Sequence, residues 1–405
     1  MLYNESVDLY YLDSIAIFLL SESSNLFFCS IILFILFYFK KLDQRELIIW
    51  FSGFLSIILL APIIQELFPD SGGYLRCVRD LKDNFRFDEF GCQASIAASS
   101  ESFQFFNFKR SAPAIYYSII PIPSIATIMS LGFINKLYLL ALYLFIRKRI
   151  TSSDARLYLL LILFFPTMLV YSATGLRETF VFVVQSLLLF TIIERKFFIS
   201  TGLMLLLFSI KTQNAAVLSI LYTAIFIFSA DKSFKRLLIF SIAFLFIIFY
   251  NEHVILNIIN YFRLGFLNEI GLIPPGGILS EFESIIQIIL NSPILFLKGL
   301  FAPGIGFSGL NLVFFPESLV FIFITLVAIK YSNYFSEPSD YLVFLTFYTG
   351  IVLNFMVVEN DSTFLRYRFT FIYLFLFHLI LTYDKRAVHE VNDSLKEKKT
   401  IEKLS

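Results

Sequence analysis

The chain has 405 residues, of which 58% are hydrophobic and only 16% are charged, and its mean hydropathy is +0.78. Soluble globular proteins carry about 25% charged residues, so this composition excludes a soluble domain and indicates a protein surrounded by lipid. The formal net charge of +1 gives no indication of a nucleic-acid partner.

The apolar runs predict about eleven transmembrane helices, because a bilayer core about 30 Å thick needs about 20 apolar residues in a helix. We therefore predict an all-α, polytopic membrane protein, in which residues 1–384 form one membrane domain and residues 385–405 form a charged cytoplasmic tail. The predicted spans are 24–39, 47–68, 124–146, 157–173, 178–194, 197–211, 214–230, 237–251, 316–330, 340–358 and 368–383.

Lysine and arginine in the short loops predict the orientation of the chain. The N-terminal segment carries Glu5, Asp8 and Asp13 but has no cation among its first 39 residues. We therefore expect the N-terminus outside the cytoplasm and the C-terminus inside. The loops expected on the cytoplasmic side contain Lys40, Lys41, Arg45, Arg147, Lys148, Arg149, Arg156, Arg195, Lys196, Lys232, Lys235, Arg236, Lys330, Lys385 and Arg386.

Two long segments, 69–123 and 252–315, are expected on the outer side. The second contains the apolar stretch "SIIQIILNSPILFLKGLFAPGIGF", which would invert the rest of the topology if it crossed the membrane once. We interpret it as a re-entrant or interfacial helix that is broken at Pro293 and ends near Pro303. The first segment contains Cys77 and Cys92, which would form a disulfide in an oxidising compartment or remain as two unpaired thiols.

Charged residues recur at the predicted outer ends of the spans. The stretch "YSATGLRETF" turns at Gly175 and presents Arg177 and Glu178. A cation at the membrane edge is costly unless it is paired or hydrated, so the recurrence predicts a shared anionic ligand. The other charged residues at this side are Lys211, Glu252, His253, Arg263, Arg366 and Arg368.

Each of these residues also has a simpler interpretation. A single arginine at a helix end commonly extends to lipid phosphates. Glu178 at the start of a helix would stabilise the helix dipole without any chemical role. His253 fits an interfacial or packed histidine as well as a base.

Several motifs of nucleotide and metal enzymes are absent from the sequence. It contains no P-loop, no GxGxxG after a strand, no HExxH, no GxSxG and no DxD pair. A substrate would therefore have to arrive already activated, within the membrane.

The order of these features resembles the Wzy-type polymerases of O-antigen, capsule and exopolysaccharide synthesis, especially the EpsG-like branch. The resemblance covers most of the chain and lies in "SATGLRETF", in "NSPILFLKGLFAP" within the second outer segment, and in "LRYRF" at the last span. In the first outer segment, "FPDSGGYLR" matches an acidic-then-tyrosine element through Asp70 and Tyr74. The cysteines of that segment and the serine of "NSP" depart from the family pattern.

This resemblance implies a glycosyltransferase of the C type in the bacterial cytoplasmic membrane. Such an enzyme joins oligosaccharide repeat units carried on undecaprenyl diphosphate, on the outer face of the membrane. The implied partners are the lipid-linked oligosaccharide, the bilayer, a flippase and a chain-length regulator, and no nucleic acid.

The chemistry assigns roles to the outer charged residues. Arginine binds diphosphate oxygens in a bidentate manner and stabilises the negative charge of a leaving group. We expect Arg177, Lys211 and Arg366 or Arg368 to bind the diphosphate, with Arg263 a weaker candidate for the acceptor lipid. The candidates for the general base are Asp70, Glu178 and His253. No metal or other cofactor is expected, because the cations neutralise the phosphates.

Two alternatives remain from the sequence. An O-antigen ligase, or another transferase that uses lipid-linked sugars, would have a similar fold. A transporter or flippase of lipid-linked glycans would place charges near the bilayer midplane and show repeat symmetry, whereas the charges here cluster at the span ends.

Overall fold

A computed structural model describes residues 15–64, 74–75, 77–79, 114–231, 239, 242–243, 246, 248–269, 282–301, 311–332, 337–357 and 367–385 of the chain. Every regular element among these residues is a helix, as expected from the sequence. The longer helices are α1 (Ile15–Tyr38), α2 (Gln44–Ile64), α3 (Ile128–Arg147), α4 (Ser153–Leu163), α5 (Pro166–Ala173), α6 (Glu178–Ile193), α7 (Phe197–Ile210), α8 (Thr212–Asp231), α9 (Glu252–Glu269), α10 (Ile285–Phe301), α11 (Asn311–Ser332), α12 (Pro338–Val357) and α13 (367–385).

Within the described residues, three helices are long and apolar enough to cross a membrane: Leu20–Tyr38, Ile128–Arg147 and Ser339–Met356. The bent pair α4–α5 would make a fourth if it forms one span. The predicted total of eleven spans is therefore not confirmed. Shorter apolar helices, such as α6 and α7, do occupy ranges where spans were predicted.

The structure adds a break to one predicted span and contradicts a predicted break in another helix. The span 157–173 is divided into α4 and α5, which meet at an angle of 55°. Pro166 begins α5, and a proline has no N–H to continue the preceding helix. Pro293, by contrast, does not break α10, which continues through it. The hydroxyl of Ser292 donates to the carbonyl of Ile289 at 2.8 Å and so satisfies an acceptor that the proline leaves without its N–H donor.

The chain divides into two compact units. Unit 1 comprises the residues up to Val184 together with Leu206–Thr212, and unit 2 comprises Gln185–Leu205 and the residues from Gln213 onward. In unit 1, α2 and α3 pack against each other and each packs against both α1 and α5, while α4 packs against α3 and α5. In unit 2, α12 packs against α9 and α10, and α10 packs against α11.

Local side-chain caps explain where the central helices of unit 1 begin. Thr127 caps α3 by accepting from the backbone N–H of Met129 at 3.0 Å, and Ser130 accepts from the N–H of Thr127 at 3.3 Å. Asp43 and Glu46 form the corresponding reciprocal pair at the start of α2. These caps satisfy N–H groups that a helix start otherwise leaves without partners.

Candidate functional site

The turn between α5 and α6 is held tightly against α3. Asn135 of α3 donates its side-chain N–H to the carbonyl of Leu176 at 3.1 Å. A Cβ added at Gly132 would lie 2.4 Å from the carbonyl oxygen of Ala173, and one added at Gly175 would lie 2.6 Å from the side chain of Leu131. Gly175 does not adopt the left-handed backbone conformation, so its role is close packing rather than the conformational freedom of a turn.

This anchored turn places Arg177 and Glu178 beside the end of α7. The Nζ atom of Lys211 lies 3.5 Å from Oε1 of Glu178, and the two side chains are 3% and 0% exposed. Arg177 is partly exposed and donates from Nη1 to the carbonyl of Ile210 at 3.2 Å. Three of the predicted site residues, Arg177, Glu178 and Lys211, therefore come together within unit 1.

A helix end favours the carboxylate of this pair but not clearly its cation. Glu178 lies in the first turn of α6, where the partial positive charge of the helix N-terminus stabilises a carboxylate. Lys211 lies between the last residue of α7 and the first residue of α8, so the negative partial charge of one helix end and the positive partial charge of the other oppose each other at this cation. Burial of the pair still removes both groups from water, which costs free energy that their attraction offsets only in part. A buried pair of this kind is poor evidence for stability alone and is a candidate for function.

Tyr117 lies close to this pair and is buried. Burial raises the pKa of Tyr117 well above its ordinary value, and the neighbouring Tyr74 and the carboxylate of Glu178 raise it further. The phenol is therefore protonated at neutral pH and can donate a hydrogen bond. Tyr74, which belongs to the stretch "FPDSGGYLR" singled out in the sequence, is itself buried.

Arg368 occupies a different environment, in unit 2. Its Nη1 donates to the carbonyls of Gly299 and Leu300 at 2.7 and 2.9 Å, and its Nη2 donates to the hydroxyl of Ser318 at 2.7 Å. Arg368 is 5% exposed, and its guanidinium donates to carbonyls at the C-terminal end of α10. These contacts favour a structural role for Arg368, and diphosphate binding by this residue stays a prediction.

The remaining predicted residues are not brought into one cluster by the described structure. His253 is exposed in the first turn of α9. The guanidinium of Arg263, also on α9, lies 5.0 Å from the centroid of the Phe282 ring, a cation–π contact. Cys77 is buried and disulfide-bonded, but its predicted partner Cys92 lies outside the described residues, so that pairing stays a prediction. Asp70 and Arg366 also lie outside them.

Sequence analysis missed Glu22, a buried carboxylate of α1. Glu22 accepts hydrogen bonds from Thr127 at 2.8 Å, Ser130 at 2.9 Å, and Asn25 and Ser21 at 3.3 Å. Four donors hold this carboxylate at the N-terminal end of α3, where the helix dipole is also favourable. A glutamate beside an apolar run was the available signal, but the predicted span began two residues after it.

Other buried charges were also missed. Lys136 of α3 is completely buried, and its Nζ lies 5.1 Å from the centroid of the Phe164 ring. No hydrogen-bond partner for this Nζ occurs in the part of the chain that the structure describes. In unit 2, Nε2 of His378 lies 3.1 Å from Oδ1 of Asp340, with both side chains buried. The sequence placed His378 within an apolar run without indicating its partner.

No group of three or more histidine, cysteine, aspartate or glutamate side chains arranged to hold a metal occurs among the described residues. In comparisons with known proteins, no family model, no curated protein and no solved structure matches this chain significantly. The functional interpretation therefore depends on the chemistry of the residues themselves.

Proposed function

We propose that the chain is a membrane glycosyltransferase that elongates a glycan carried on undecaprenyl diphosphate, at the outer face of the bacterial cytoplasmic membrane. The observation that carries this proposal is the cluster of Arg177, Glu178 and Lys211 at one anchored turn of a largely apolar helical protein. An isolated cation in such a protein would extend to lipid phosphates, whereas Lys211 is buried beside a carboxylate.

The proposed reaction is a substitution at the anomeric carbon of the growing glycan. A hydroxyl of the incoming repeat unit forms the new C–O bond, the bond from the anomeric carbon to the diphosphate breaks, and undecaprenyl diphosphate leaves. The hydroxyl proton passes to a base, and negative charge develops on the leaving diphosphate. Preorganised cations at that position stabilise the transition state more than the bound substrate.

Arg177 is best placed to contact the diphosphate, since it is the partly exposed member of the cluster. Lys211, which is buried beside Glu178, would add positive charge near Arg177. Glu178 is fully buried, so a role as the general base requires that substrate binding opens its surroundings. If those surroundings stay closed, Glu178 instead positions Lys211 and Arg177.

The test is elongation of a synthetic polyprenyl-diphosphate-linked repeat unit by the purified full chain. Arg177→Gln is expected to lower the rate about 10²- to 10³-fold, the loss typical of removing one donor to a developing oxyanion. Arg45→Gln, which removes an exposed guanidinium in the first turn of α2, is the matched control and is expected to retain the rate.

Three results would contradict the proposal. Full elongation by the Arg177→Gln variant would remove this cluster from the mechanism. Transfer of glycan to a lipid A acceptor, with no joining of repeat units, would indicate a ligase. Movement of the lipid-linked repeat unit across the bilayer, without a new glycosidic bond, would indicate a flippase.

A further inference from the structure

A second charged region lies at the other end of the unit 1 bundle, where α1 and α3 both finish. A cavity of about 240 Å³ is lined there by Leu36, Lys41, Leu144, Arg147 and Lys148. Lys41 comes from the turn after α1, and Arg147 and Lys148 come from the end of α3. Two distant parts of the chain thus contribute cations to the same cavity.

The backbone after α1 is shaped to bring Lys41 back to the helix end. Lys40 adopts the left-handed conformation with φ 54°. The N–H groups of Lys41 and Leu42 then both donate to the carbonyl of Leu36, at 2.8 and 3.4 Å. This is a common way to end a helix, although glycine usually occupies the left-handed position.

The cations at this cavity outnumber the carboxylates that face them. Nε of Arg147 donates to Oε1 of Glu46 at 2.7 Å, and the hydroxyl of Tyr143 donates to the same oxygen. Lys41 and Lys148 are exposed and form no ion pair with any residue that the structure describes. The cavity is therefore lined by one guanidinium that is paired with a carboxylate and by two ammonium groups that are not paired with one.

The stabilising effect of cations on helix C-termini accounts for part of this pattern. It does not account for a cavity, nor for the apolar walls formed by Leu36 and Leu144. The adjoining surface of α1 exposes Phe34, Ile35 and Tyr38, so the cavity opens beside a face suited to lipid chains. An anionic group joined to an apolar tail fits both features.

We propose that this cavity binds the phosphate headgroup of an anionic phospholipid, with the ammonium groups of Lys41 and Lys148 on the phosphate and the acyl chains along the exposed face of α1. Basic pockets between membrane helices commonly bind anionic lipid headgroups on the cytoplasmic side. The side expected from the loop charges is the same one, and the site is independent of the proposed catalytic activity.

The experiment measures the thermal unfolding of the purified full chain in detergent, followed by the fluorescence of Trp50. Trp50 is the single tryptophan of the chain and is fully buried in unit 1. Phosphatidylglycerol is titrated in one arm, phosphatidylcholine in the second and water-soluble glycerol phosphate in the third. We expect a saturable rise of the unfolding temperature with phosphatidylglycerol only.

The double variant Lys41→Gln/Lys148→Gln is expected to bind phosphatidylglycerol roughly 30-fold more weakly, since each cation near an anionic lipid contributes about 1 kcal/mol. The matched control is Lys40→Gln/Arg149→Gln, which removes the same charge from the same two turns without touching the cavity lining. The control is expected to keep the affinity of the unaltered chain. Because Lys41 and Lys148 are exposed, the double variant should fold, and the single variants are each expected to lose roughly 5-fold.

Several results would overturn this assignment. An equal loss in the control pair would mean that only the general surface charge attracts the lipid. An equal effect of phosphatidylcholine would exclude recognition of the anionic headgroup. An effect of glycerol phosphate as large as that of the lipid would assign the cavity to a free phosphate compound instead.

Discussion

The buried pair of Glu178 and Lys211 leads to a quantitative prediction about the stability of the protein. At the observed separation of 3.5 Å, an effective dielectric constant of about 20 gives an attraction of about 5 kcal/mol. The cost of desolvating both groups offsets much of this, so the net value of the pair is small. Loss of one member alone leaves a buried charge without that partner and is expected to destabilise the protein by about 3–5 kcal/mol.

A double-mutant cycle separates these contributions. The variants are Glu178→Gln, Lys211→Met and the two together. The double variant is expected to be more stable than the sum of the single effects implies, with a coupling energy of about 2–3 kcal/mol. The matched control cycle replaces Glu178 in the same way but pairs it with Lys148→Met, an exposed lysine of the same unit that makes no ion pair with Glu178 in the described structure. This second cycle is expected to be additive.

The assay is unfolding of the purified protein by denaturant in detergent, observed through Trp50. This side chain packs against Phe54, Tyr143 and Phe164 in the unit that contains the pair. Additive single effects, within about 0.5 kcal/mol, would show that the two charges do not interact energetically and would refute the reasoning. Elongation measured on the same variants distinguishes chemistry from stability. A general base would lose about 10²- to 10⁴-fold in rate in Glu178→Gln at temperatures where the variant stays folded.

The remaining predictions concern a buried charge and a close contact. Lys136→Met is expected to raise the free energy of unfolding by about 1–3 kcal/mol, because it removes a fully buried ammonium whose neighbour is an aromatic ring. Lys298→Met, at an exposed position, is expected to change the free energy of unfolding by less than about 0.5 kcal/mol. A loss of stability in Lys136→Met would show instead that the buried ammonium makes a stabilising interaction. Gly175→Ala is expected to destabilise the chain by about 1–3 kcal/mol through collision with Leu131, whereas Gly202→Ala in α7 meets nothing within 4 Å and should stabilise it by about 0.5–1 kcal/mol. Thermal unfolding by circular dichroism measures both glycine variants, and equal effects at the two positions would contradict the packing argument.

The helical class and most helix positions followed from the apolar runs, because local hydrophobicity is the property that selects a membrane helix. The prediction of 178–194, for example, corresponds to the observed Glu178–Ile193. The prediction that each apolar run crosses the membrane was weaker than the prediction that it is helical. The 14 residues of α7, for example, are apolar enough for a span but fewer than the about 20 residues that a simple span needs. The number of spans could not be fixed by counting runs.

The two prolines Pro166 and Pro293 have opposite effects on their helices. Pro166 begins α5, shortly after α4 ends at Leu163. The residues on both sides of this break are apolar, so the hydrophobic pattern alone did not indicate it. At Pro293 the neighbouring Ser292 supplied a hydrogen bond to the carbonyl of Ile289, so the helix survived. A proline in an apolar helix therefore has to be judged together with nearby hydroxyls.

The site was only partly predictable, because its members meet through packing rather than through sequence spacing. The sequence indicated Arg177 and Glu178 as candidates because they are charged residues within an apolar run. Their approach to Lys211 depends on α7 returning beside the start of α6. Glu22 was missed for the same reason, since its donors Thr127 and Ser130 lie on another helix.

One charged region of unit 1 lies beside the first half of α3, and the other lies at its C-terminal end. Asn135, which holds the turn before Arg177, and Arg147, which lines the basic cavity, are twelve positions apart, or about 18 Å along a helix axis. Glu22 joins α1 to the first end through Thr127, and Lys41 joins α1 to the second end. The exposed cations Lys41 and Lys148 thus lie towards one end of this helix pair, and buried carboxylates occur at both ends, Glu22 at one and Glu46 at the other. The orientation predicted from the loop lysines and arginines would place the cation-rich end in the cytoplasm and the Arg177 turn on the outer side, and this orientation stays a prediction.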